Sequence, residues 1–474
     1  MRAVLVSLFV LVSLTAGWSA AVGRVGFGKV DITPSFPVQM GGYGYRVSAG
    51  VHDRLYARAA VFAVGDRKAA IVGVDFLLIN RDLGQAIAAE VTRLTGIPTD
   101  ALLICASHSH SAPWNYAADL TLDPRELDAR LVEHCRSRIP MAVLAAYRAL
   151  QPAEIGFAQR TVAGINTNRR SDQDPLDRDL TLLVARTPGG KVLGGVANFT
   201  AHPVIMGESN LELSAEWPGA AMTTLEREVG KAAVFVFAQG CAGDVTIKRN
   251  GSTFAEVKRV GEEIGRAFAE MLPGMKYHPL VSLGWARATA MAPVKPKFDA
   301  AGFKAEKARL EQEVAAAKAA GNETLLKDAT RRLENVNSDA ELLPVFERMP
   351  RFQGDKIEIQ ARAISLNDCA LVGIGSEALN RIGLEIKAGL ADTHTLVAGY
   401  CNDWAGYVPM REDYPKGGYE VSMNRFAPGA GEKMVALGIR AAKEAARRAK
   451  TAFGRTRPPL SPRRGPGEGI SGRL

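Results

Sequence analysis

Short, wholly apolar runs recur along this chain, and most are separated by stretches of helical period. Residues 55–76, "LYARAAVFAVGDRKAAIVGVDF", read as a hairpin that turns at Gly65-Asp66 and whose second strand is buried. "RDLGQAIAAEVTRLTG" (81–96) places apolar residues on one helical face, opens with Asp82 and closes at Gly96, with Pro98 just beyond. The run at 102–105, "LLIC", predicts a short buried strand, and residues 123–150 predict a long helix or a helix pair. The same alternation returns downstream. "VLGGVANFTAHPVIM" (192–206) predicts a strand ending at His202, and "EWPGAAMTTLEREVG" (216–230) a helix. "AAVFVFAQGCAGDV" (232–245) predicts a buried strand that runs into a glycine-rich turn. "DCALVGIGSEALNRIGLEIKAGL" (368–390) predicts strand, turn and helix, with Glu377 at the helix start. "HTLVAGYCNDWAGYVP" (394–409) predicts a strand and then a loop, and a last helix covers about 427–452. Strands alternating with helices predict an α/β architecture, with a mixed β-sheet core flanked by helices. No internal repeat and no linker is visible, so the expectation is one large catalytic domain over residues 22–454. Residues 303–336, rich in Ala, Glu and Lys and broken at Gly321-Asn322, are expected to form an exposed helical hairpin inserted in it.

Composition changes this picture at the two ends. The chain has 474 residues, 47% hydrophobic and 23% charged, which is ordinary for a globular protein. Its first 21 residues hold one Arg, an apolar run too short for a membrane span, and then small residues. That is the layout of a signal peptide, so an exported, soluble protein is expected, either periplasmic or secreted. Of the net charge of +9, the far end supplies +4, since residues 455–474 carry five Arg against one Glu among Pro and Gly. This basic tail has little to bury and is expected to be disordered. The body that remains is only weakly basic and has no basic stripe interleaved with aromatics, which argues against nucleic-acid binding. Cys105, Cys135, Cys241, Cys369 and Cys401 show no C-x-x-C spacing. An odd count in an oxidising compartment leaves at least one free thiol, and the spacing neither requires nor forbids one or two disulfides.

The candidate chemistry sits where the predicted strands end. His108 and His110 in "ASHSHSAP" are one residue apart, so an extended chain would present both imidazoles to one side. His202 ends a second strand and Glu377 follows a third. In open α/β sheets, sites gather beyond the carboxyl ends of strands. Two His and one Glu make a catalytic zinc set when a further position stays open for water. Read alone, Glu377 also suits a helix N-terminus as a charge complementing the dipole. The turn Gly240-Cys241-Ala242-Gly243 exposes backbone N–H groups suited to an oxyanion, and no Gly-Lys-Ser/Thr follows it as in a nucleotide-binding loop.

The fragments "GFGKVDITP", "MGGYG", "GVHDRLYARA", "ASHSHSAP", "NFTAHPV", "FAQGCAGDVT", "GSEALNRIG" and "GYVPMREDYPKGGYE" occur in an order that resembles the N-terminal catalytic domain of the neutral/alkaline non-lysosomal ceramidases, over roughly residues 24–450. The resemblance implies an exported zinc amidase that cleaves the N-acyl bond of ceramide, or of a related N-acyl lipid, to a fatty acid and a sphingoid base. It implies one Zn²⁺ per chain, with His108, His202, Glu377 and Tyr407 as ligands and His110 beside the attacking water. It also implies Tyr419 and Arg169 as transition-state stabilisers, with Arg170 adjacent to the latter. The turn residues Gly243 and Asp244 are implied in substrate or oxyanion binding. The implied partner is a lipid, with a membrane surface as its source. Thr246 stands where that family carries a serine sometimes assigned as nucleophile. The chain also stops after its last helix, without the family's C-terminal immunoglobulin-like domain. Both departures keep two alternatives open: a zinc hydrolase of the same scaffold acting on another amide or ester, and a lipid-binding homologue without catalysis.

Overall fold

The computed structural model describes residues 23–43, 46–114, 126–295, 300–323, 325–326, 329–330, 333 and 354–455. The expected leader at 1–21 and the tail beyond residue 455 lie outside the described residues.

Three mixed sheets carry the core, and each is laid down in the same order. In the first, β1 (Arg24–Asp31), β2 (Tyr56–Val64) and β3 (Arg67–Val74) form an antiparallel meander. Helix α1 (Arg81–Thr95) then carries the chain to β4 (Leu102–Ala106), which pairs parallel to β3. Helix α2 (Glu126–Arg148) leads to the second sheet. There β5 (Glu154–Thr161), β6 (Asp179–Arg186) and β7 (Val192–Phe199) are antiparallel, and after α3 (Glu216–Val229) strand β8 (Val234–Gln239) returns parallel to β7. Helix α4 (Phe254–Ala269) packs on α3. In the third sheet β9 (Leu283–Pro293) is followed by helix α5 (Ala300–Ala319) and then by β10 (Lys356–Leu366) and β11 (Cys369–Ile374), again an antiparallel meander. After α6 (Asn380–Ala388), strand β12 (His394–Ala398) pairs parallel to β11, and α7 (Ala430–Arg455) closes the chain across β9 and β10. The topology therefore repeats three times, although no residue repeat is visible. What recurs is the order of elements, which many sequences satisfy.

Burial explains which strands announce themselves. Every residue of β4 and β11 is buried, so they read as continuous apolar runs, as strands covered on both faces do. The outer strands β5 and β9 expose part of their length, and their mixed Ala, Arg and Thr content gives no clear period. The sheets pack on one another: β8 lies against β2 and β3, and β9 also lies against β3. Gly73 in β3 permits the closest approach, since a Cβ there would meet the Phe237 carbonyl oxygen of β8 at 2.5 Å. One apolar core runs through the first and third sheets, and a second lies beneath α3 and α4.

One local detail differs from expectation. Helix α1 is capped by Asn80, whose Oδ1 accepts the Leu83 N–H at 2.9 Å, so the cap lies two residues before Asp82. Of the segment expected to hold a long helix or a helix pair, the described residues from 126 onward form the single helix Glu126–Arg148, with Pro140 inside it. In the inserted region α5 ends before Gly321, whose φ of 61° turns the chain, and helical residues resume at position 323. No helix among the described residues is long and apolar enough to cross a membrane.

Candidate metal centre

Each of the three units delivers a side chain to one point. In the first, β4 stops at Ala106 and the chain turns sharply, with His108 at φ 67°, in the left-handed region that non-glycine residues seldom occupy. The two imidazoles therefore do not converge through extended geometry, as the alternation argument requires. A turn brings them together. It is held by the His108 N–H on the Phe76 carbonyl (2.9 Å), the Arg46 guanidinium on the His110 carbonyl (2.8 Å), and the His110 N–H on the Pro203 carbonyl (3.2 Å). In the second unit His202 follows β7, and its N–H donates to the Val245 carbonyl at 2.9 Å. In the third, Glu377 is not in the first turn of a helix. Glu377–Ala378 pairs in parallel with Tyr407–Val408, and α6 begins only at Asn380. That two-residue ribbon sets Glu377 beside Tyr407, which no helix position would do, and it removes the dipole explanation for the carboxylate.

The cluster they form is a set of acceptors. His108 Nδ1 lies 2.8 Å from the Leu77 carbonyl and His202 Nδ1 3.0 Å from the Val245 carbonyl. Carbonyls only accept, so each ring donates from Nδ1, and in its neutral form it turns a bare Nε2 inward. Those Nε2 atoms are 3.2 Å apart, and Glu377 Oε1 lies 3.2 Å from the first and 3.0 Å from the second. Burial pulls His202 down to about 4, so it is neutral near pH 7. Burial alone would raise Glu377, but charge attraction and hydrogen bonding from His108 and His202, which need a proton or another cation on the histidine side, hold it well below the usual carboxylate range, so it is ionised. Three buried lone pairs facing one another, one of them on an anion, need a cation between them. The donor chemistry, imidazole nitrogen with carboxylate oxygen, suits Zn²⁺.

His110 completes a three-histidine group with His108 and His202, in which each residue offers one ring nitrogen within 4.8 Å of the others. This group and the set of His108, His202 and Glu377 share two members. Glu377 fits better as the third ligand because it is nearer to both histidines and charged, whereas His110 Nε2 sits 3.4 Å from His108 Nε2. Its Nδ1 is buried with no hydrogen-bond partner among the described residues. Burial, then the neighbouring histidines, depress its basicity.

The outer atoms of the cluster are held in turn. Trp404 Nε1–H donates to Glu377 Oε2 at 3.0 Å, leaving Oε1 to face the histidines. Trp404→Phe keeps most of the packing and removes that donor. It is expected to weaken metal affinity about 10–100-fold, the usual cost of an outer-shell partner, which a competitive chelator titration measures. Arg169 joins the next layer. Its NH2 group donates to the Tyr407 hydroxyl (3.0 Å) and to the Gly243 carbonyl (2.8 Å), and its Nε to Glu420 Oε1 (2.8 Å). Arg170 donates to Glu420 Oε2 at 2.9 Å, so the two adjacent arginines grip one carboxylate. The neighbouring Tyr419 is thereby placed with its ring edge-on to Tyr407, centroids 5.7 Å apart. A cavity of about 330 Å³ opens on this side, with Arg169, Tyr419 and Glu420 in its wall.

The glycine-rich turn behaves differently from the expectation. The Gly243 N–H donates to the Ala378 carbonyl at 3.0 Å, so it does not face an oxyanion. Asp244 spends Oδ1 on the Asn380 N–H (2.7 Å) and Oδ2 on Asn168 Nδ2 (2.9 Å), which makes it a strut at the start of α6. Burial pushes its carboxyl up to about 6. Both residues are corrected from substrate contacts to structural ones: buried polar groups take the nearest partners, and here those are protein groups. Thr246 is half-buried in the short strand Val245–Ile247, opposite Thr167, with a backbone bridge to His202. Sequence reasoning missed Trp404, Glu420 and Tyr400, whose ring stacks on His108 at 4.1 Å. The adjacent Arg169 and Arg170 called for a buried acid, but nothing in their spacing named Glu420.

The chain is similar to known proteins. The family model described as neutral/alkaline non-lysosomal ceramidase, N-terminal, matches residues 24–259. Neutral ceramidase of Pseudomonas aeruginosa is 25% identical over 48% of this chain, and that of Drosophila melanogaster 26% identical over 46%. The match spans only 37% and 34% of those proteins, about a third of their length. The crystal structure of neutral ceramidase from Pseudomonas aeruginosa superposes with a TM-score of 0.69 at 21% identity, covering 90% of this chain and 75% of that one. A ceramidase complexed with C2 gives 0.67 at 19% identity over the same shares. These likenesses establish the fold, and with the family match they lead to one conclusion: the chain belongs to the neutral/alkaline non-lysosomal ceramidase family.

Proposed function

We propose that this protein is an exported, zinc-dependent amide hydrolase that cleaves the N-acyl bond of ceramide or a closely related N-acyl lipid, taken from a membrane surface. The observation that carries the reading is the buried acceptor cluster, in which two imidazole Nε2 atoms and Glu377 Oε1 lie within 3.2 Å of one another. His108, His202 and Glu377 would hold the ion, with Tyr407 as a fourth ligand. Burial and then the Glu377 carboxylate push the Tyr407 phenol well up, so it binds as an anion only when a cation offsets both. When bound, zinc supplies the Lewis acidity that polarises an amide carbonyl and makes water acidic near neutral pH.

The chain's own residues do the rest. His110, neutral and with Nδ1 unpartnered, accepts the proton of the attacking water and passes it to the leaving amine. Tyr419, in the cavity wall, donates to the developing oxyanion, and Arg169 holds Tyr407 and Glu420 in place around it. Removing one oxyanion donor costs about 10²–10³ in rate, so Tyr419→Phe is expected to lower kcat by that factor with little change in KM. Thr246→Ala is expected to keep kcat within about tenfold, because the β-branched hydroxyl sits on a paired strand with little rotamer freedom. A loss of ~10⁴-fold or more would instead make Thr246 the nucleophile.

The substrate test compares release of fatty acid from a fluorescent ceramide, a short N-acyl amine and an ester of the same acyl chain. The reading predicts that ceramide turns over fastest. Turnover of the ester or short amide alone would transfer the site to another substrate. A metal-loaded protein that binds ceramide and hydrolyses none of the three would support the binding homologue that Thr246 motivates.

A further inference from the structure

We propose that Cys105 and Cys401 are joined by a disulfide that staples the metal-site turn of the first unit to that of the third. Cys105, the fourth residue of β4, forms an isolated antiparallel bridge with Cys401, three residues past β12. The flanking bonds fix the type of pair. The Ala106 N–H donates to the Tyr400 carbonyl (3.2 Å) and the Asn402 N–H to the Ile104 carbonyl (2.8 Å), one residue to either side. Cys105 and Cys401 are therefore a non-hydrogen-bonded antiparallel pair, in which the Cα atoms approach to ~4.5 Å. That spacing falls within the ~4.4–6.8 Å that a disulfide spans.

The side chains agree with the register. The structure holds both as thiols, with the Cys401 Sγ–H donating to the Gly399 carbonyl at 3.2 Å; their sulfurs are 2.7 Å apart, outside the ~2.05 Å of a formed S–S bond but closer than the ~3.5–4.0 Å of ordinary non-bonded contacts. Gly373, on the adjacent strand, makes the room, since a Cβ there would stand 3.0 Å from Cys401 Cβ and 3.3 Å from its sulfur. Cys105 is 0% and Cys401 2% exposed, so the bond closes as the chain folds and not afterwards. The step is an exchange with a small-molecule or protein disulfide. The two thiols lose two electrons and two protons, one S–S bond forms, and the partner's S–S bond is reduced to two thiols.

The position gives the bond a purpose. Tyr400 and Asn402, on either side of Cys401, both have positive φ, 54° and 60°, a conformation that costs non-glycine residues energy unless the surroundings enforce it. Asn402 is already tied to β4, taking the Ile104 N–H on Oδ1 (3.2 Å) and giving Nδ2–H to the Leu102 carbonyl (3.1 Å). The disulfide is the covalent member of that set of ties. It holds the strained segment so that Tyr400 stays stacked on His108. This inference does not depend on the amidase reading and survives its failure.

The test uses the full chain exported to an oxidising compartment and purified without reductant. It is denatured in an alkylating agent and its mass compared with a sample reduced first. The expected result is two fewer labels in the unreduced sample and a peptide linking Cys105 to Cys401, with Cys135, Cys241 and Cys369 labelled in both. Full labelling without reductant, or a bridge through the nearby Cys241, would overturn the proposal. On the native protein, reductant under mild denaturant is expected to lower the thermal midpoint of the wild type. It is expected to leave the midpoint of the doubly substituted Cys105→Ala, Cys401→Ala protein unmoved. Equal insensitivity of both proteins to reductant would also overturn it.

Discussion

Replacing His202 with alanine is expected to empty the metal site and lower fatty-acid release by about 10³-fold or more. The size follows from the several kcal/mol of transition-state stabilisation that a Lewis-acid ion supplies, at tenfold per ~1.4 kcal/mol. Fold loss is not the cause, because the backbone contacts of His202, its bridge to Thr246 and its N–H bond to the Val245 carbonyl, are ones that alanine keeps. Circular dichroism is therefore expected to match wild type, while bound metal, measured on the gel-filtered protein, falls to background. A variant that retains stoichiometric zinc would remove His202 from the ligand set.

Glu377→Gln is expected to separate metal binding from stability. Glutamine keeps the size of the side chain and its bond from Trp404, but it loses the negative charge. Its amide can also donate to an inward-facing Nε2, which the carboxylate cannot. Zinc affinity is expected to fall at least 10²-fold, and turnover with it, since a charged ligand facing a divalent ion in a buried site is replaced by a neutral one. The metal-free variant, in contrast, is expected to unfold at the same temperature as metal-free wild type or higher, because a proton donor has entered a cluster of acceptors. Chelator titration and a melting curve in excess chelator measure the two effects. A metal-free variant destabilised by several kcal/mol would show that the carboxylate is holding the fold and not waiting for a cation.

Much of this site is legible in the residues, and what is not has identifiable causes. The doubly buried strands β4, β8 and β11 read directly as apolar runs, and His108 and Glu377 lie within a few residues of two of them. The half-exposed β5 and β9 do not read that way, because alternation is diluted by Ala and Arg. The order of three like units is invisible for a deeper reason: topology is set by which strand pairs with which, and no residue is obliged to recur. At the site, the positions of His108 and His110 suggest convergence through an extended strand, whereas convergence comes through a left-handed turn at His108. The glycine-rich turn after β8 suggests free N–H groups, yet Gly243 is spent on Ala378 across more than a hundred residues of sequence. Long-range partners such as Glu420 for Arg169, or Trp404 for Glu377, are products of the fold and leave no local signature.

The most direct test is to quantify metal in the purified protein and follow hydrolysis of a fluorescent ceramide before chelation, after chelation and after zinc is restored. The expected result is one zinc per chain, release of fatty acid that stops on chelation, and recovery when zinc alone is returned. Hydrolysis that continues undiminished in a protein stripped of metal would contradict it, because the acceptor cluster of His108, His202 and Glu377 would then have no catalytic cation to hold.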